Sequence, residues 1–504
     1  MNIAPGHLAA ALRLAALLLV ATGLGACGGS GDPSPLPAAT QPASATPATP
    51  PAMPSAAPAS APTPPPPAAA APSPAATVIV FDNVRIFDGQ HGNLSGPSSV
   101  RVRGHVIEKI GPTGSLAVEG AQVIDGEGRT LMPGLIDAHW HSMFVGLPVQ
   151  IALGSSSGYL NIVAGVESRR TLMRGFTTVR DVGGAAWGVK QAIDRGDIPG
   201  PRIFPSGAMI SVTSGHGDFR DATDLPRTLG APASRYDIEG ESAIADSPDE
   251  VRLRVREQLM RGASQVKLTA GGGVSSPHSP LDVVTFSEDE LRAAVGAASD
   301  WGTYVTVHAY TPAAIQRAIR AGVLCIEHAS LMDEATAQMM ANQGIWLSTQ
   351  PFPPELANAF PPGSDEYAKA QEVFAGTDQT YRLAIKYHLK TAFGTDVLFS
   401  SALASQQNAI LASLIRWYTP AQTLVMATGT NGELLALSGK RSPYAGRLGV
   451  VQEGALADLL LVDGDPLQDI AVITQPERNF RVIMKDGVIY KDTLPGAPPV
   501  ARTP

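Results

Sequence analysis

The sequence predicts an α/β fold: a TIM (β/α)8 barrel with a small β-sandwich domain formed by the segments before and after the barrel. Three observations support this fold class. Over roughly 300 residues, short β-like runs alternate with helix-like stretches, as in a TIM barrel. Before and after that region, β-like runs follow one another without helices between them. The chain of 504 residues is 44% hydrophobic, which is enough to bury more than one core.

The first 27 residues predict an export signal. Arg13 precedes the apolar run 14–20, and the stretch closes with Leu24-Gly25-Ala26-Cys27. An apolar run this short, followed by small residues, is typical of a signal peptide and not of a spanning helix. The ending resembles the bacterial lipobox, which implies lipidation of Cys27 and a lipoprotein anchored in the periplasm or at the outer membrane. An ordinary signal peptide with a chance cysteine is the alternative.

The remaining segments follow from composition and pattern. Pro, Ala, Ser and Thr dominate residues 28–76. Such a segment cannot bury a core and favours extended polyproline conformation. The predicted segments are a disordered linker (28–76), the first part of the sandwich (77–132), the barrel (133–437), the second part of the sandwich (438–493) and a disordered tail (494–504).

The charge pattern argues against two classes of partner. The net charge is −8, and the basic residues are scattered along the chain and not clustered. Nucleic-acid binding requires a basic patch or stripe, so no nucleic-acid partner is expected. Adsorption to anionic lipid headgroups by charge alone has no support for the same reason.

Eight β-like runs make up the predicted barrel, and helix-like stretches such as 287–299 and 312–321 lie between them. The first helix-like stretch starts with Ser-Glu-Asp-Glu, a typical helix start. The runs are 134–141, 177–182, 202–208, 265–270, 304–309, 323–328, 345–350 and 390–396.

Candidate metal ligands stand at or near the ends of five of these runs, where a TIM barrel keeps its chemistry. His139 and His141 are two residues apart on one strand, so their imidazoles point to the same side and form a metal clamp. Four further candidates follow on runs four, five, six and eight: Lys267, His308, His328 and Asp396.

Lys267 can serve such a site only in a modified form. In the predicted strand, Val266 and Leu268 face the outer helices, so Lys267 faces inward. A cationic lysine beside metal ions is unfavourable, whereas a carbamate formed with CO2 is an anionic bridge. The alternative is a lysine that pairs with Asp396 or Glu327 in a site for one ion.

Together these residues resemble the amidohydrolase superfamily, in its two-metal, carboxylated-lysine subtype. The resemblance covers about residues 78–490 and includes Pro133-Gly134-Leu135-Ile136-Asp137 before the histidines. Thr178-Val-Arg-Asp-Val-Gly-Gly, Ser214-Gly-His-Gly-Asp and Val266-Lys-Leu-Thr-Ala-Gly-Gly-Gly look like the imidazolonepropionase-related group. That group includes Xaa-Pro and Xaa-Arg/Lys dipeptidases and ochratoxin-type amidases.

The resemblance implies two divalent ions, with zinc expected among the ions that this donor set suits. His139, His141 and Asp396 would hold one ion, and His308 and His328 the other. The Lys267 carbamate and a hydroxide would bridge them. Asp396 would be catalytic, moving a proton from water to the leaving amine of a small amide, a dipeptide or an N-acyl amino acid.

Three further residues are candidates for substrate binding: His216, Tyr310 and Arg220. A turn residue, a packed tyrosine and a solvated surface arginine are the respective alternatives. Specificity is expected in the long loops 209–247, 271–285 and 351–388. Arg180 and Asp181 are interpreted as an ion pair at the barrel mouth, and His278 as an exposed loop residue.

Two other functions stay open. One is ring opening of a cyclic amide or deamination, as in imidazolonepropionase-like enzymes. Deaminases of the superfamily resemble a one-metal design with His-x-x-Glu after strand five, whereas this chain has His308-Ala-Tyr-Thr311. The other is a non-catalytic surface lipoprotein that binds ligands, which a missing metal ligand would have favoured.

Overall fold

The computed structural model describes residues 77–224, 230–276 and 278–497. The predicted signal peptide (1–27), its lipidation site Cys27 and the predicted linker (28–76) lie outside this range, as does most of the predicted tail. Within the described residues, no helix is long and apolar enough to cross a membrane.

Strands alternate with helices through the middle of the chain and follow one another directly at both ends. The strands are β1 (Val78–Phe87), β2 (Leu94–Arg103), β3 (Val106–Pro112), β4 (Gln122–Asp125), β5 (Thr130–Pro133), β6 (Leu135–Trp140), β7 (Phe176–Asp181), β8 (Arg202–Pro205), β9 (Met209–Ser211), β10 (Ser242–Ile244), β11 (Val266–Thr269), β12 (Val305–Ala309), β13 (Cys325–His328), β14 (Trp346–Thr349), β15 (Lys390–Phe393), β16 (Leu459–Val462), β17 (Phe480–Lys485) and β18 (Val488–Asp492).

The two helices that the sequence predicts are present, within one residue of the predicted bounds. Ser287 caps the helix Glu288–Asp300 in a capping box with Glu290, and Pro312 opens the helix Pro312–Arg320. The other α-helices are Val149–Gly154, Ser157–Met173, Trp187–Asp194, Arg235–Glu239, Pro248–Met260, Glu334–Gln343, Asp365–Ala375, Thr377–Lys386, Ser401–Ala404, Gln407–Ala412, Pro420–Val425, Asn431–Ala436 and Pro476–Asn479.

The two ends of the described chain share one sheet. Its strand order is β18-β17-β16-β5-β1-β2-β3, with β4 pairing beside β1. β16 joins the two chain segments by pairing antiparallel with β5. A buried apolar cluster that includes Phe81, Val100, Leu459 and Met484 packs on this sheet, so residues far apart in sequence depend on one another for burial.

The middle of the chain forms two parallel sheets. One has the order β6-β7-β8, and the other has the order β10-β9-β11-β12-β13-β14-β15. All eight strands predicted from the sequence are present in these sheets. Backbone hydrogen bonds link both edges of the three-stranded sheet to the larger sheet, from Ser264 N–H to Pro205 O (2.8 Å) and from Asp396 N–H to His139 O (2.9 Å).

The inward and outward faces of β11 follow the predicted alternation. Val266 and Leu268 belong to a buried apolar cluster with Leu291 and Ile315 of the surrounding helices. On the opposite face, the Thr269 hydroxyl donates to Ser211 Oγ at 2.9 Å. Lys267 therefore lies on the inner, polar face of the sheet.

Two of the three segments predicted as long loops contain helices or strands. The segment 209–247 contains β9 and β10, which extend the larger parallel sheet. The segment 351–388 contains the helices Asp365–Ala375 and Thr377–Lys386, and a 3₁₀ turn at Pro354–Ala359. The prediction that these two segments are loops missed these elements, because strands of three residues and capped helices within an insertion give only a weak periodic signal.

Candidate metal centre

All six predicted ligands lie together at the carboxyl ends of the parallel strands. The imidazole rings of His139 and His141 have centroids 5.3 Å apart, those of His139 and His328 are 4.8 Å apart, and those of His308 and His328 are 4.5 Å apart. Each of these histidines is at most 3% exposed. The structure thus gathers residues from four strands and the end of a fifth into one buried polar cluster.

His139, His141 and Asp396 form the tightest part of this cluster and are a candidate metal site. Asp396 Oδ1 lies 3.2 Å from His139 Nε2 and 3.3 Å from His141 Nε2. The other ring nitrogen of each histidine is engaged: His139 Nδ1 lies 2.8 Å from Glu327 Oε2, and His141 Nδ1 lies 3.2 Å from Gly183 O. Both rings therefore turn Nε2 toward one carboxylate.

Neighbouring opposite charges set the ionisation of Asp396 and His139. Burial alone would raise the pKa of Asp396, but the neighbouring His139 and His141 hold that pKa well below its usual range. Burial would lower the pKa of His139, but Asp396 and Glu327 raise it above its ordinary value. Asp396 is consequently an ionised base at neutral pH.

His308 and His328 are arranged in a similar way. His308 Nε2 lies 2.8 Å from Gly272 O, and His328 Nδ1 lies 2.7 Å from Gln350 Oε1. One nitrogen of each ring is thereby occupied, and the other stays available as a ligand. Burial lowers the pKa of His308 well below its ordinary value and that of His328 to about 3, so both rings are neutral at physiological pH.

Lys267 lies among these rings and is 2% exposed. Burial lowers the pKa of its amine, while the carboxylates of Glu327 and Asp396 act in the opposite direction. Its positive charge also acts to lower the pKa of His139, His216, His308 and His328. A neutral amine is the form that can react with CO2.

Two of the predicted ligands, His328 and Asp396, have left-handed backbone conformations. His328 has φ of 72° and Asp396 has φ of 50°, values that non-glycine residues rarely adopt and that recur at functional sites. Gly394 permits the close approach of β15 to β6, because a Cβ there would lie 2.4 Å from His139 Cβ. Local backbone geometry thus brings Asp396 to the histidines.

Arg180 does not pair with Asp181, so that interpretation was wrong. Its Nη2 donates to Glu327 Oε1 at 2.6 Å, and both side chains are fully buried. Asp181 instead accepts from the backbone N–H of Ser142 at 2.7 Å. Adjacent residues of a strand point to opposite faces, which excludes a direct pair. Glu327 was considered from the sequence only as a partner for Lys267; its contact with His139 was missed.

Two of the predicted substrate residues lie beside the cluster. The ring of His216 is 4.2 Å from that of His308, and its Nδ1 lies 2.8 Å from Ser276 Oγ. Burial and the Lys267 charge lower the pKa of His216 to about 3. The ring of Tyr310 is 4.6 Å from that of His308. Both residues are placed where a substrate bound at the histidines would meet them.

Arg220 is buried and not a solvated surface residue. It is 8% exposed, which contradicts the solvated-surface interpretation. Its guanidinium is engaged by Asp218, with Nη2 at 2.7 Å from Oδ2 and Nε at 2.8 Å from Oδ1. A contact between Arg220 and substrate therefore stays a prediction, and it would compete with this pair. His278 is exposed, as predicted.

The donor set fits divalent ions. Four imidazoles each have one ring nitrogen held by a carboxylate, a carbonyl or an amide oxygen, the arrangement that orients histidines at metal sites. One ionised carboxylate lies between the rings. Imidazole and carboxylate donors suit Zn, Mn, Co and Fe.

Known proteins resemble this chain over most of its length. The profile of the amidohydrolase family matches residues 130–490. Ochratoxinase from Aspergillus niger is 32% identical over 374 residues, which are 72% of this chain and 75% of that protein. Imidazolonepropionase from Deinococcus radiodurans is 27% identical over 386 residues, which are 74% of this chain and 87% of that protein.

Solved structures agree with the sequence matches. A prolidase in complex with N-methylphosphonate-L-proline has a TM-score of 0.75 and 33% identity, covering 83% of this chain and 100% of that one. A Xaa-Pro dipeptidase with methionine bound in its active site has a TM-score of 0.71 and 28% identity, covering 82% of this chain and 100% of that one.

Proposed function

Because this chain belongs to the amidohydrolase family and is a hydrolase of carbon–nitrogen bonds, we propose that it cleaves the amide bond of a dipeptide or an N-acyl amino acid with two divalent ions. The observation that carries the proposal is the convergence of His139 and His141 Nε2 on Asp396, with the remaining ring nitrogens already engaged. The likeness to prolidase and dipeptidase structures favours this substrate class.

The fold part of the proposal is a closed eight-stranded barrel. The two parallel sheets together contain the eight strands that the sequence predicts. The backbone hydrogen bonds from Ser264 to Pro205 and from Asp396 to His139 support closure at both edges. The same closure would surround the six ligands with strand ends.

The chain offers a place for two ions. His139, His141 and Asp396 would hold one, His308 and His328 the other, and Lys267, as a carbamate, would bridge them, with zinc as the expected ion. When bound, such ions lower the pKa of water toward about 7 and polarise a carbonyl oxygen. Neutral His308 and His328 are ready to act as ligands without first losing a proton.

The chain's own residues would manage the proton and the substrate. Asp396 is ionised, and 15% of its side chain is exposed, so it can accept a proton from water and return it to the leaving amine. An amine leaves poorly unless it is protonated, which makes this return necessary. Tyr310 and His216, beside His308, are the proposed contacts to the substrate carbonyl.

A second candidate is ring opening of a cyclic amide. The similarity to imidazolonepropionase over 74% of this chain favours it. The residues His308-Ala-Tyr-Thr311 lack the glutamate expected of a deaminase, so deamination is not part of this candidate. The same catalytic residues would serve either reaction, because both break a carbon–nitrogen bond at a carbonyl.

The test combines metal analysis with a substrate screen on the protein that begins after Cys27. Elemental mass spectrometry is expected to find about two ions per chain, and a library of dipeptides and N-acyl amino acids is expected to release free amino acids. Lys267→Ala should lose metal and activity, with partial rescue by a short carboxylic acid. Turnover of cyclic amides alone would favour the second candidate, and absence of metal after reconstitution would refute both.

For location, we propose a lipid anchor on Cys27, supported by the Leu-Gly-Ala-Cys ending of the predicted signal peptide. Cys27→Ala should then move the protein from the membrane fraction to the soluble fraction of the cells that export it. An unchanged membrane fraction would argue against the lipid.

A further inference from the structure

Glu327 connects the histidine cluster to a second set of buried polar groups. Its Oε2 accepts from His139 Nδ1 at 2.8 Å. Its Oε1 accepts from Arg180 Nη2 at 2.6 Å and from the hydroxyl of Thr306. The carboxylate thus accepts from donors on three other strands, with the Cys325 thiol as a weaker fourth donor 3.6 Å from Oε1, and no part of its side chain is exposed.

Arg180 is held as firmly as Glu327. Its Nε donates to Ala138 O at 2.6 Å, and its terminal nitrogens donate to Tyr304 Oη and Ser348 Oγ, both at 3.1 Å. These partners lie on, or immediately before, strands on several sides of the cluster. With its donors directed at fixed partners, the guanidinium cannot turn away, and it fixes the carboxylate that faces it.

The ion pair offers little stability that apolar residues of the same volume would not supply, because desolvation offsets most of the attraction. Its specific effect is a rigid acceptor at His139 Nδ1. With Nδ1–H engaged there, the ring can present only Nε2 to Asp396, 3.2 Å away. A freely rotating ring would lose that orientation.

We propose that Glu327 is the positioning residue of the centre: its Oε2, by accepting the hydrogen bond from Nδ1–H, sets the ring orientation of His139. That His139 then serves as a metal ligand rests on the proposed function. Its hydrogen bond to Glu327 does not, because that bond is present without any ion.

Two double variants distinguish positioning of the His139 ring by Glu327 from a contribution of Glu327 to the stability of the fold. Arg180→Met/Glu327→Leu removes both charges and the acceptor, whereas Arg180→Met/Glu327→Gln removes both charges but keeps an oxygen for Nδ1–H. The control is Arg202→Met/Asp458→Leu, which removes another buried pair (5% and 4% exposed), whose further ion-pair partner is Asp486. Circular dichroism and thermal unfolding establish that each variant is folded.

The first measurement is the ring ¹⁵N–¹H spectrum of metal-free protein. We expect the Nδ1–H resonance of His139 to be protected from exchange in the parent and in the Gln variant, and lost in the Leu variant. The Nδ1–H of His141, which donates to Gly183 O, is the internal reference and should persist in all of them. Persistence of the His139 resonance in the Leu variant would overturn the proposal.

The second measurement is Co²⁺ affinity, by competition with a chromophoric chelator. The Leu variant should bind Co²⁺ about 10–100-fold more weakly than the parent, the size of effect known for lost partners of metal-ligating histidines. The Gln variant and the Arg202 control should stay within about threefold of the parent. Equal losses in all three variants would indicate a purely structural role and refute positioning. A parent with the protected resonance but no Co²⁺ binding would support positioning and refute the metal-dependent function.

Discussion

At the scale of single residues, Asp396 is the side chain on which the proposed chemistry depends. It contacts His139 and His141 through Oδ1, and its Oδ2 lies 3.8 Å from His328 Nδ1. Its backbone N–H is also fixed, by His139 O. The carboxylate is therefore held in place, ionised, and partly open to solvent, which are the requirements of a base that must act on water.

Asp396→Asn keeps the shape of this side chain and removes its basicity. We expect kcat to fall by about 10²–10⁴-fold, the usual contribution of a general base, while much of the metal stays bound. Steady-state kinetics and elemental analysis of the same sample would measure both. Asp378→Asn, at an exposed residue paired with Arg416, is the matched control and should be neutral. Near-normal kcat in Asp396→Asn would refute the assignment.

The lowered pKa of His216 predicts that this residue makes the free energy of unfolding depend on pH. Its pKa is about 3 in the folded protein, below the ordinary value near 6.5, mainly because of burial. As pH falls from about 6.5 toward 3, the unfolded chain takes up a proton on this histidine that the folded chain does not. The stability attributable to His216 is thus present above pH 6.5 and lost as the solution becomes acidic.

In metal-free protein, His216→Gln should remove that loss. Between about pH 4 and pH 6, the free energy of unfolding of the parent should fall with decreasing pH more steeply than that of the variant, by about 1.4 kcal/mol per pH unit. Denaturant unfolding at several pH values would measure the difference. His278→Gln, at an exposed histidine, is the control. Parallel curves for parent and His216→Gln would contradict the lowered pKa.

At the scale of secondary-structure elements, β15 must pass close to β6. Gly394 is buried, and a Cβ there would lie 2.4 Å from His139 Cβ and 2.7 Å from His139 N. Backbone atoms cannot yield as a flexible side chain would, so the strands would have to separate. Any separation would also move Asp396, two residues further along the chain.

Gly394→Ala is therefore expected to lower the free energy of unfolding by about 1–3 kcal/mol, the range for an overpacked site, and to lower activity as well. Gly296→Ala is the matched control. Gly296 lies in the helix Glu288–Asp300, and a Cβ added there would meet nothing within 4 Å. The substitution should therefore raise the free energy of unfolding by about 0.5–1 kcal/mol through helix propensity. Thermal and denaturant unfolding would show that the free energy of unfolding falls in Gly394→Ala and rises in Gly296→Ala. Equal stability of Gly394→Ala and the parent would contradict the close approach.

The same elements show what the sequence could and could not predict. Strand alternation placed Lys267 on the inner face, and the ends of predicted strands located the six candidate ligands. The Arg180–Glu327 pair was not predicted, because a contact between distant strands leaves no periodic signal. β9 and β10 were missed because each spans three residues, too few for an alternating pattern.

At the scale of the whole molecule, the sheet that holds both ends of the described chain makes the C-terminal strands necessary for folding. β16 covers the edge of β5, and its Leu459 and Leu461 enter the same apolar cluster as Phe81 and Val100. Without β16, that edge and that cluster would face water.

A chain that ends before β16 should therefore lose cooperative unfolding and aggregate, whereas one that ends at residue 497 should behave as the full protein does. Size-exclusion chromatography and calorimetry would compare the two. Removing residues 1–76 is the corresponding change at the other end and should leave unfolding cooperative, since β1 begins at Val78. A stable, monomeric product of the first truncation would contradict the shared sheet.

The shared sheet also orders the events of biosynthesis. β5 emerges from the ribosome early, and its partner β16 follows only after residues 134–458, which include both parallel sheets, have been made. At about 5–20 residues per second, the wait is on the order of tens of seconds. During that time β5 has an open hydrogen-bonding edge, and a nascent chain nearby could pair with it. Pauses in translation after residue 133 would lengthen this exposure, so codon choice along residues 134–458 should affect the yield of soluble protein.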